Sequence, residues 1–586
     1  MTAVLGIDLG TERSRAAVAE AAGPGDAPVI VKALSIPSAV WADSSGTLVT
    51  GDRALRHAVS SPEHLVRSAM RLAGWAYGSP WIRQYAARSP NRIVEGPGGF
   101  AAVEVRGRAV SPVEILAATL ARLRDDAEGY FGKGIERTVI AVPALFGVLR
   151  RRAVRDAALV AGLDKVELAN APLCAAVACG PGGTGRRAVL VCDLGAGFLE
   201  VGAIWAEGGD LNVLGYGGDP FMGGEDMGFA AEGGTAPDGS QADLAERMAS
   251  AVRRAIVATG ALAGRADRVI LLGGILKAPE VPAPVRGIFG DRAFVLDGPS
   301  GAVASGAALM GFRDPATVRD VISYSLGIET DGGGYSEIVP RNESALEARF
   351  GFYTPACGGE TRVAVKVMQG PGGPSAPAVP LGRLVVRDLE PRPAGESLVR
   401  VSFAFSGLDL TGVWVGDTRG EEAFFELSPG AGIPEEDILC LALGREIGRA
   451  GKDPGRAPGA VPGPGGKPAG AAAPGPGRAG GEAGSGEGDV LDALLPAALR
   501  LARAVGNVRR ASDPELHRVA WEEAYALSLA FQEAVDRATA LLGPGGERIA
   551  ALGARLWAMV LLEPAVPALE EGPAGGLAEF RFVPLG

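Results

Sequence analysis

The feature that most constrains the fold is a strand–turn–strand pattern that the chain contains twice. The first copy, VLGIDLGTERSRAAVAE, runs from Val4 to Glu20, and the second, AVLVCDLGAGFLEVGAIWAE, runs from Ala188 to Glu207. In each copy a strand ends in Asp-Leu-Gly, and a short turn leads into a second strand. One Asp-Leu-Gly alone is as typical of an ordinary strand end as of a binding site. Its repetition at the spacing of a domain favours a shared site.

The two turns carry residue types that suit a metal-bound polyphosphate. Gly10, Gly195 and Gly197 have no side chain that would keep main-chain N–H groups away from an anion. Asp8 and Asp193 are carboxylates of the kind that hold a hydrated Mg²⁺. The pattern therefore predicts two hairpins that hold a magnesium polyphosphate from two sides.

Composition limits the classes of function that remain. A net charge of −11 argues against a nucleic-acid-binding surface, so we expect no nucleic acid among the partners. The sequence shows neither a signal-peptide pattern nor an apolar run of membrane-spanning length, so we expect no membrane partner either. Five scattered cysteines without a Cys-x-x-Cys pair are typical of buried thiols in a cytoplasmic protein.

Local patterns predict several further elements. Residues 62–74 start at a proline and end at a glycine, which predicts a helix. The segment from Ser111 has apolar residues at helical spacing, with Pro112 at the first position and Glu114 shortly after it. A buried strand at Val139–Val142 is followed by a break at Pro143 and another helix.

A series of short strings then identifies a family resemblance. The strings are GIDLGT, VIAVPALF followed by RRRAVRDAALVAGL, NAPLCAA, CDLGAG, GGED at Gly223–Asp226, VILLGGILKAP at Val269–Pro279 and AVASGAALMG at Ala302–Gly311. In this order they make the first 312 residues resemble the nucleotide-binding domain of the seventy-kilodalton heat-shock chaperones, the DnaK-like family within the actin and sugar-kinase superfamily. The resemblance implies an α/β actin/hexokinase-like duplicated nucleotide-binding domain at 1–314.

The rest of the chain divides into five predicted segments. A short interdomain linker at 315–322 leads into an antiparallel β-sandwich at 323–430, whose strings SLGIET and VMQG resemble the family's peptide-binding domain. A short helical segment follows at 431–450. At 451–488, 29 of 38 residues are Gly, Pro or Ala, which predicts a disordered linker. The helical region at 489–586 matches the family's lid in position, and a separate helical interaction module is the alternative.

The resemblance implies a site for ATP or ADP with Mg²⁺. Its nucleotide-binding positions fall on Asp8, Gly10, Thr11, Asp193, Gly195, Gly197, Gly273, Gly274 and Lys277, with Asp8 and Asp193 as the metal-binding residues. The family's catalytic lysine falls on Met70, and its catalytic glutamate falls on Ala171. The second loop's threonine falls on Phe198, and the first loop's second threonine and asparagine fall on Glu12 and Arg13.

These replacements predict weak or absent ATP hydrolysis. Removing one positioned electrostatic group from a transition state typically costs ~10²–10³ in rate. Here two charged groups and a hydroxyl are replaced together, and Glu12 adds negative charge beside the polyphosphate. Arg13 or Arg71 is a candidate to restore positive charge, although a guanidinium does not reproduce the geometry of an ammonium. The alternative interpretation is neutral change around a working site.

Two further departures concern whole segments. The 42 residues between Asp226 and Val269 predict a turn and one helix where the family has a subdomain that packs on adenosine, which implies a deletion and reduced nucleotide affinity. The linker PATVRDVISYSLG is too short and too polar to hold the leucine run that docks the family's linker on the first domain. Pro143 and Arg151, at the family's interdomain switch positions, are retained.

The resemblance also implies a peptide-binding cleft in the sandwich. Its matched pocket positions are Ile328, Tyr353, Ala356, Val363 and Val365. An extended peptide would bind there through main-chain hydrogen bonds and one buried apolar side chain. For Val363 and Val365 the alternative is a place in the sandwich core. Asp331 stands where the family has an apolar residue, which favours basic or polar peptide segments.

The sequence therefore predicts a DnaK-like relative that binds unfolded or extended polypeptide, with weak or absent ATP binding and hydrolysis. A working ATP-dependent folding chaperone with co-chaperones is one alternative. A pseudo-ATPase scaffold for a dedicated protein partner is another. A sugar kinase or a filament-forming actin relative is disfavoured by the attached sandwich.

Overall fold

The computed structural model describes residues 2–562 apart from 24–25, 132–134, 136, 164, 181–184, 227–240, 260–265, 278–286, 296–300, 346–348, 356–357, 371–377, 387–388, 394–395, 397, 417–421, 427–433, 451–485, 511–513 and 543–546. The described residues form two α/β lobes, a β-sandwich and a set of packed helices.

The first lobe is built on a five-stranded sheet in the order β11-β10-β1-β2-β3. Its strands are β1 (Thr2–Asp8), β2 (Arg13–Ala21), β3 (Val29–Pro37), β10 (Arg137–Val142) and β11 (Val166–Asn170). Two small sheets add β4 (Ala39–Ala42), β5 (Leu48–Thr50), β6 (Leu65–Arg67), β7 (Ile93–Glu95), β8 (Ala101–Val105) and β9 (Arg108–Val110). The helices are α1 (Asp52–Ala58), α2 (Ala69–Leu72), α3 (Pro80–Ala86), α4 (Pro112–Phe131) and α5 (Val148–Val160).

The second lobe repeats this plan on a six-stranded sheet in the order β16-β15-β12-β13-β14-β17. Its strands are β12 (Arg187–Leu194), β13 (Leu199–Glu207), β14 (Asp210–Asp219), β15 (Arg268–Leu272), β16 (Ala293–Val295) and β17 (Val318–Arg319). Its helices are α6 (Ala171–Cys179), α7 (Gln241–Ala258) and α8 (Ala302–Met310). Between Asp226 and Val269 the described residues contain one helix, α7, and the predicted deletion of a subdomain there stays a prediction.

Both predicted hairpins are present. β1 pairs antiparallel with β2, and β12 pairs antiparallel with β13. Parallel neighbours, β10 and β15, cover the other edges of β1 and β12, so both central strands are buried and apolar. Small residues let α8 approach β1 closely, because a Cβ on Gly6 would lie 2.1 Å from the carbonyl oxygen of Ala304.

The local helix predictions have opposite outcomes. For α4 the prediction is confirmed by a capping box, in which the N–H of Ser111 donates to Glu114 at 3.1 Å. The continuous helix predicted at 62–74 is wrong. Residues Leu65–Arg67 instead pair with β4, and Ser68 then adopts φ 58°, so only Ala69–Leu72 is α-helical.

The sandwich consists of two four-stranded sheets. One has the order β20-β19-β23-β24, with β19 (Leu326–Thr330), β20 (Gly334–Val339), β23 (Val363–Gln369) and β24 (Val379–Val386). The other has the order β22-β25-β26-β27, with β22 (Phe350–Tyr353), β25 (Val399–Ser406), β26 (Asp409–Gly416) and β27 (Glu422–Glu426). A separate pair, β18 (Val321–Ile322) and β21 (Glu343–Ser344), lies at the junction with the lobes.

Four helices complete the described chain: α9 (Glu435–Ala450), α10 (Gly486–Arg510), α11 (Pro514–Leu542) and α12 (Glu547–Leu562). They share one apolar core around Leu501, Val505 and Phe531. Most of the Gly/Pro/Ala-rich segment predicted at 451–488 lies outside the described residues. Every helix in the described part of the chain is too short or too polar to cross a membrane.

Candidate functional site

The tips of the two hairpins face each other between the lobes. A Cβ on Gly197 would lie 2.3 Å from Oγ1 of Thr11, so the second turn is in van der Waals contact with the first. A Cβ on Gly10 would lie 2.2 Å from the carbonyl oxygen of Arg13, which explains why this turn requires glycine. The structure therefore brings together the residues that the duplicated sequence pattern predicts.

A third turn closes the site from the side of the second lobe. Gly273 has φ 111°, and a Cβ there would lie 2.1 Å from the carbonyl oxygen of Leu194. Gly274 faces the first hairpin, because its Cβ would lie 4.0 Å from a carboxylate oxygen of Glu12. Lys277 is the last residue of the short 3₁₀ helix that starts at Gly274.

The carboxylates of the hairpins are close enough to affect each other's ionisation. Burial raises the pKa of Asp193 to about 7, and the charge of Asp8 raises it further than Arg15 lowers it. Burial also raises the pKa of Asp8, although Nη1 of Arg15 lies 3.5 Å from its carboxylate. Opposite Asp193 in the strand register, Glu200 has its pKa raised to about 8 by burial and by Asp193. The site is therefore rich in carboxyl groups, and burial and their mutual repulsion favour the protonated forms.

Arg15 is the cation that the chain itself supplies to this site. It stands opposite Asp8 in the β1–β2 register, so the hairpin fixes the pair. Oγ1 of Thr11 is buried without a hydrogen-bond partner, which is the kind of polar atom that a ligand would satisfy. Among the described residues, no group of three or more His, Cys, Asp or Glu side chains has the arrangement of a metal site.

The two positions that differ from the family's catalytic residues are apolar and buried. Met70 is 2% exposed and lies in the core of the first lobe, and Ala171 is 7% exposed at the start of α6. Next to them, Phe198 packs edge-on against Phe146, with 5.5 Å between ring centroids. The threonine hydroxyl of the family's second loop is thus replaced by an aromatic ring that joins the core.

Arg150 fills the space beneath this ring. Its guanidinium lies 3.6 Å from the ring centroid of Phe146 and 5.2 Å from that of Phe198. Nη2 donates to the carbonyl oxygen of Met70 at 2.9 Å, and Nε donates to that of Ala73 at 3.3 Å. Burial, and then the nearby charge of Arg71, lowers the pKa of Arg150 to about 9. Backbone carbonyls and aromatic faces therefore hold this cation in place.

Arg71 connects the two lobes across the cleft. Nη2 lies 2.8 Å from the carboxylate of Asp226, and Nη1 lies 3.4 Å from that of Glu225. Ser68, which has the strained φ 58°, donates to Glu225 as well. The guanidinium also lies over the ring of Trp81, 4.9 Å from its centroid. We call these contacts the Arg71 latch.

The latch has an aromatic counterpart. Phe221, which precedes the GGED string of the second lobe, packs against Trp81 at 4.4 Å and against Trp75 at 5.6 Å between centroids. Sequence reasoning offered Arg71 and Arg13 only as candidates to restore phosphate-binding charge, and in this structure both have partners within the chain. Arg71 binds Asp226 and Glu225, and Arg13 donates to Ser35 at 3.0 Å. The sequence signal for this role was the string MRLAGW at Met70–Trp75, in which Arg71 is closely followed by aromatic residues.

The family model described as Hsp70 protein matches residues 4–230 and 240–416, which is more than half of the chain. The chain belongs to the Hsp70 family. This assignment agrees with the duplicated lobes, the hairpin tips and the sandwich that follows them. It also gives the family's general properties, a nucleotide-binding ATPase fold and chaperone function, as the background for this site.

Against that Hsp70 background, the residues present do not fit a hydrolytic site for MgATP. The hairpin tips touch, Arg15 is paired with Asp8, and Phe198 belongs to the core. Glu12 adds a carboxylate beside Gly274, where a polyphosphate would require positive charge. What remains of the family's nucleotide site is the glycine backbone and the Asp8–Asp193 pair.

The sandwich places four of the five predicted Hsp70 pocket residues in its core cluster. Ile328, Val363 and Val365 are completely buried, and Tyr353 is 2% exposed. Ala356 lies outside the described residues. In this conformation the apolar floor is covered by the two sheets. A role of these side chains in peptide binding stays a prediction.

The Hsp70 interdomain switch positions lie at a polar junction with the sandwich. Nε of Arg151 donates to Asp409 at 2.8 Å, and Nη1 donates to Asn170 at 3.1 Å. Arg155 donates to the same Asp409. The N–H of Val148 donates to Gln369 at 2.8 Å. Helix α5 thus contacts the sandwich near its first turns.

The linker docks on the second lobe without a leucine run. Val318–Arg319 add a parallel strand, β17, to the edge of β14. Asp320 then accepts hydrogen bonds from Tyr216 at 2.8 Å and from Asn170 at 3.1 Å. Burial raises the pKa of Asp320 to about 6, against the effect of these donors. Main-chain pairing and one carboxylate replace the leucine run.

Proposed function

We propose that this Hsp70-family chain is a cytoplasmic protein that binds unfolded or extended polypeptide and that binds and hydrolyses ATP weakly or not at all. The observation that carries this proposal is the pairing of the arginines around the cleft. Arg13, Arg15, Arg71 and Arg150 all bind groups of the chain itself. A polyphosphate would therefore enter a cleft whose cations are already engaged by other groups of the chain, so little positive charge is left to attract it.

Polypeptide binding is supported by the family and by the sandwich. The order and pairing of β19, β20 and β23 give a sheet whose ends carry the loops around positions 331 and 356. Opening of these loops would expose the apolar floor at Ile328 and Val365. A co-chaperone that exchanges nucleotide has no role in this proposal, whereas a dedicated protein partner is compatible with it.

A working ATP-dependent chaperone is the second candidate, and one observation favours it. Oγ1 of Thr11 is buried without a partner beside the Asp8–Asp193 pair, as in a site that lacks its ligand. A pseudo-ATPase scaffold for one partner is the third candidate. It is favoured by the docking of the sandwich on α5 through contacts that involve no ligand.

Titration calorimetry of the full chain with MgATP, together with steady-state hydrolysis, tests the proposal. We expect no saturable binding below millimolar MgATP, and hydrolysis equal to that of Asp8→Asn and Asp193→Asn. Hydrolysis abolished by either substitution would support the working chaperone instead. Suppression of the aggregation of a denatured test protein without ATP distinguishes polypeptide binding from the scaffold alternative, for which we expect no suppression.

A further inference from the structure

The second sheet of the sandwich has an aromatic outer face. Its inner face buries Val399, Val401, Val413 and Val415 in the core. On the outer face four large aromatic side chains remain between 42% and 53% exposed: Phe350, Phe352, Trp414 and Phe424. Contiguous exposed apolar surface of this kind on a soluble domain commonly marks a binding site.

The register of the sheet arranges these rings as two walls. One row of residues crosses the four strands of the sheet. It runs from Phe350 on β22 through Ser402 on β25 and Trp414 on β26 to Phe424 on β27. Phe350 and Phe352 form one wall, and Trp414 and Phe424 form the other. Strand spacing separates β22 from β26 by roughly 10 Å. We call the space between the walls the aromatic groove.

Small residues keep the floor of the aromatic groove low. Ser402 of β25 forms the floor between Phe350 and Trp414, and Ala404 continues it beyond them. Arg400, opposite Phe352, closes the other end, with its guanidinium 5.8 Å from the ring centroid of Phe350. The ring of Phe424 lies over Gly412, where a Cβ would be 2.4 Å from it. The groove therefore has room for aromatic side chains from an extended segment, seated between the two walls.

The chain contains a segment with matching side chains after its last described helix. Residues 577–585 read LAEFRFVPL, in which Phe580 and Phe582 alternate with Glu579 and Arg581. In an extended strand, alternate side chains point to the same side. Phe580 and Phe582 would thus present two rings about 7 Å apart to one surface, with the charged residues facing away.

The length of chain before this segment is sufficient to reach the groove. Helix α12 starts beside the end of α5, where Arg548 donates to the carbonyl oxygen of Gly162. One or two turns earlier on α5, Arg155 donates to Asp409 at the start of β26, the strand that carries Trp414. The 17 residues 563–579 can span about 55 Å. This exceeds the roughly 50 Å of the path back along α12, along α5 from Gly162 to Arg155, and along β26 from Asp409 to Trp414.

We propose that residues 577–585 dock in the aromatic groove of the same chain, with Phe580 and Phe582 seated between the two walls above Ser402. This site lies on the outer face of the second sheet, whereas the described residues of the predicted peptide cleft face the core of the sandwich. It therefore goes beyond the proposed function, because it assigns a second polypeptide-binding surface with an intramolecular occupant. The proposal does not depend on whether the cleft binds peptide or the lobes bind nucleotide.

Photo-crosslinking of the full chain tests this placement. Phe582 is replaced by p-benzoylphenylalanine, and the crosslinks are mapped by mass spectrometry in a mixture of isotopically light and heavy protein. We expect light–light and heavy–heavy crosslinks to residues 400–416. The same photoreactive residue at Ala568 is the control, for which we expect at least tenfold fewer crosslinks to those strands.

Two groove variants complete the test. Trp414→Ser removes part of a wall, and Ser402→Trp fills the floor, while Leu529→Ser removes an exposed apolar side chain from a distant helix as the matched control. We expect both groove variants to reduce the crosslinks at least tenfold and the control to leave them unchanged. Crosslinks to residues 326–339 or 363–386, light–heavy crosslinks, or crosslinks unaffected by either groove variant would overturn the proposal.

Discussion

The guanidinium of Arg71 lies 2.8 Å from the carboxylate of Asp226, although 155 positions separate the two residues in the chain. The Arg71 side chain is 1% exposed, and Asp226 is 13% exposed, so water and salt screen the pair only weakly. This contact joins the lobes at the edge of the cleft. It links them through side chains of the chain itself.

Breaking the Arg71 latch should destabilise the lobes. We expect Arg71→Ala to lower the free energy of unfolding by about 3–5 kcal/mol, because it leaves Asp226 buried without its main partner. Arg88 lies 3.5 Å from the same carboxylate but is 56% exposed, so Arg88→Ala is the matched control, with an expected loss below about 1 kcal/mol. Urea unfolding measures both. Equal losses would show that burial of the pair is unimportant.

The carboxylates at the hairpin tips should make stability depend on pH. The pKa of Asp193 is raised to about 7 from 3.8, so the folded state binds its proton more tightly than the unfolded state does. This stability is fully present below about pH 4 and is lost as the pH rises through about 7. We expect Asp193→Asn to raise the melting temperature at pH 8 and to leave it nearly unchanged at pH 4. A pH-independent effect of the substitution would contradict the raised pKa.

The docking of the sandwich on α5 should weaken at low pH, whereas the Asp193 contribution to stability is largest there. Burial alone would raise the pKa of Asp409, but the charges of Arg151 and Arg155 hold it below its ordinary value. Docking is therefore stabilised above the ordinary Asp pKa and weakens as the pH falls through the lowered value.

We expect Asp409→Ala to release the sandwich from α5 at neutral pH, because Arg151 would be left buried without a carboxylate partner. An increase in the radius of gyration by small-angle scattering would measure this release. Glu167→Ala, which breaks the exposed pair with Arg137, is the control and should leave the radius unchanged.

The pocket prediction can be tested at Val363. Because this side chain is completely buried among Val365, Val399 and Val401, we expect Val363→Phe to overpack the sandwich and to cost about 1–3 kcal/mol. Differential scanning calorimetry of the full chain would measure the loss. Peptide binding weakened with no change in melting temperature would instead place Val363 at an open pocket.

The sequence predicted the elements whose signals are local or repeated. The hairpins are fixed by Asp-Leu-Gly turns, and α4 is fixed by Ser111 and Glu114. The helix predicted at 62–74 is wrong because pairing of Leu65–Arg67 with β4, a contact distant in sequence, outweighs local propensity.

The sequence could not predict which partner each arginine takes. Arg71 and Asp226 lie in different lobes, and only the closure of the cleft brings them together. The way in which the linker docks could not be predicted for a related reason. The parallel pairing of β17 with β14 uses main-chain groups, which leave no signature in side-chain composition.

Helix α5 is about 20 Å long and contacts three parts of the protein. Arg150 anchors it beneath the cleft, Arg151 and Arg155 hold the sandwich, and Leu159 packs against the four C-terminal helices. A rod of this length cannot tilt at one end without displacing the other. A partner that displaces the four C-terminal helices would therefore also displace the sandwich and the residues beneath the cleft. In this way α5 could couple the three regions mechanically, without a nucleotide.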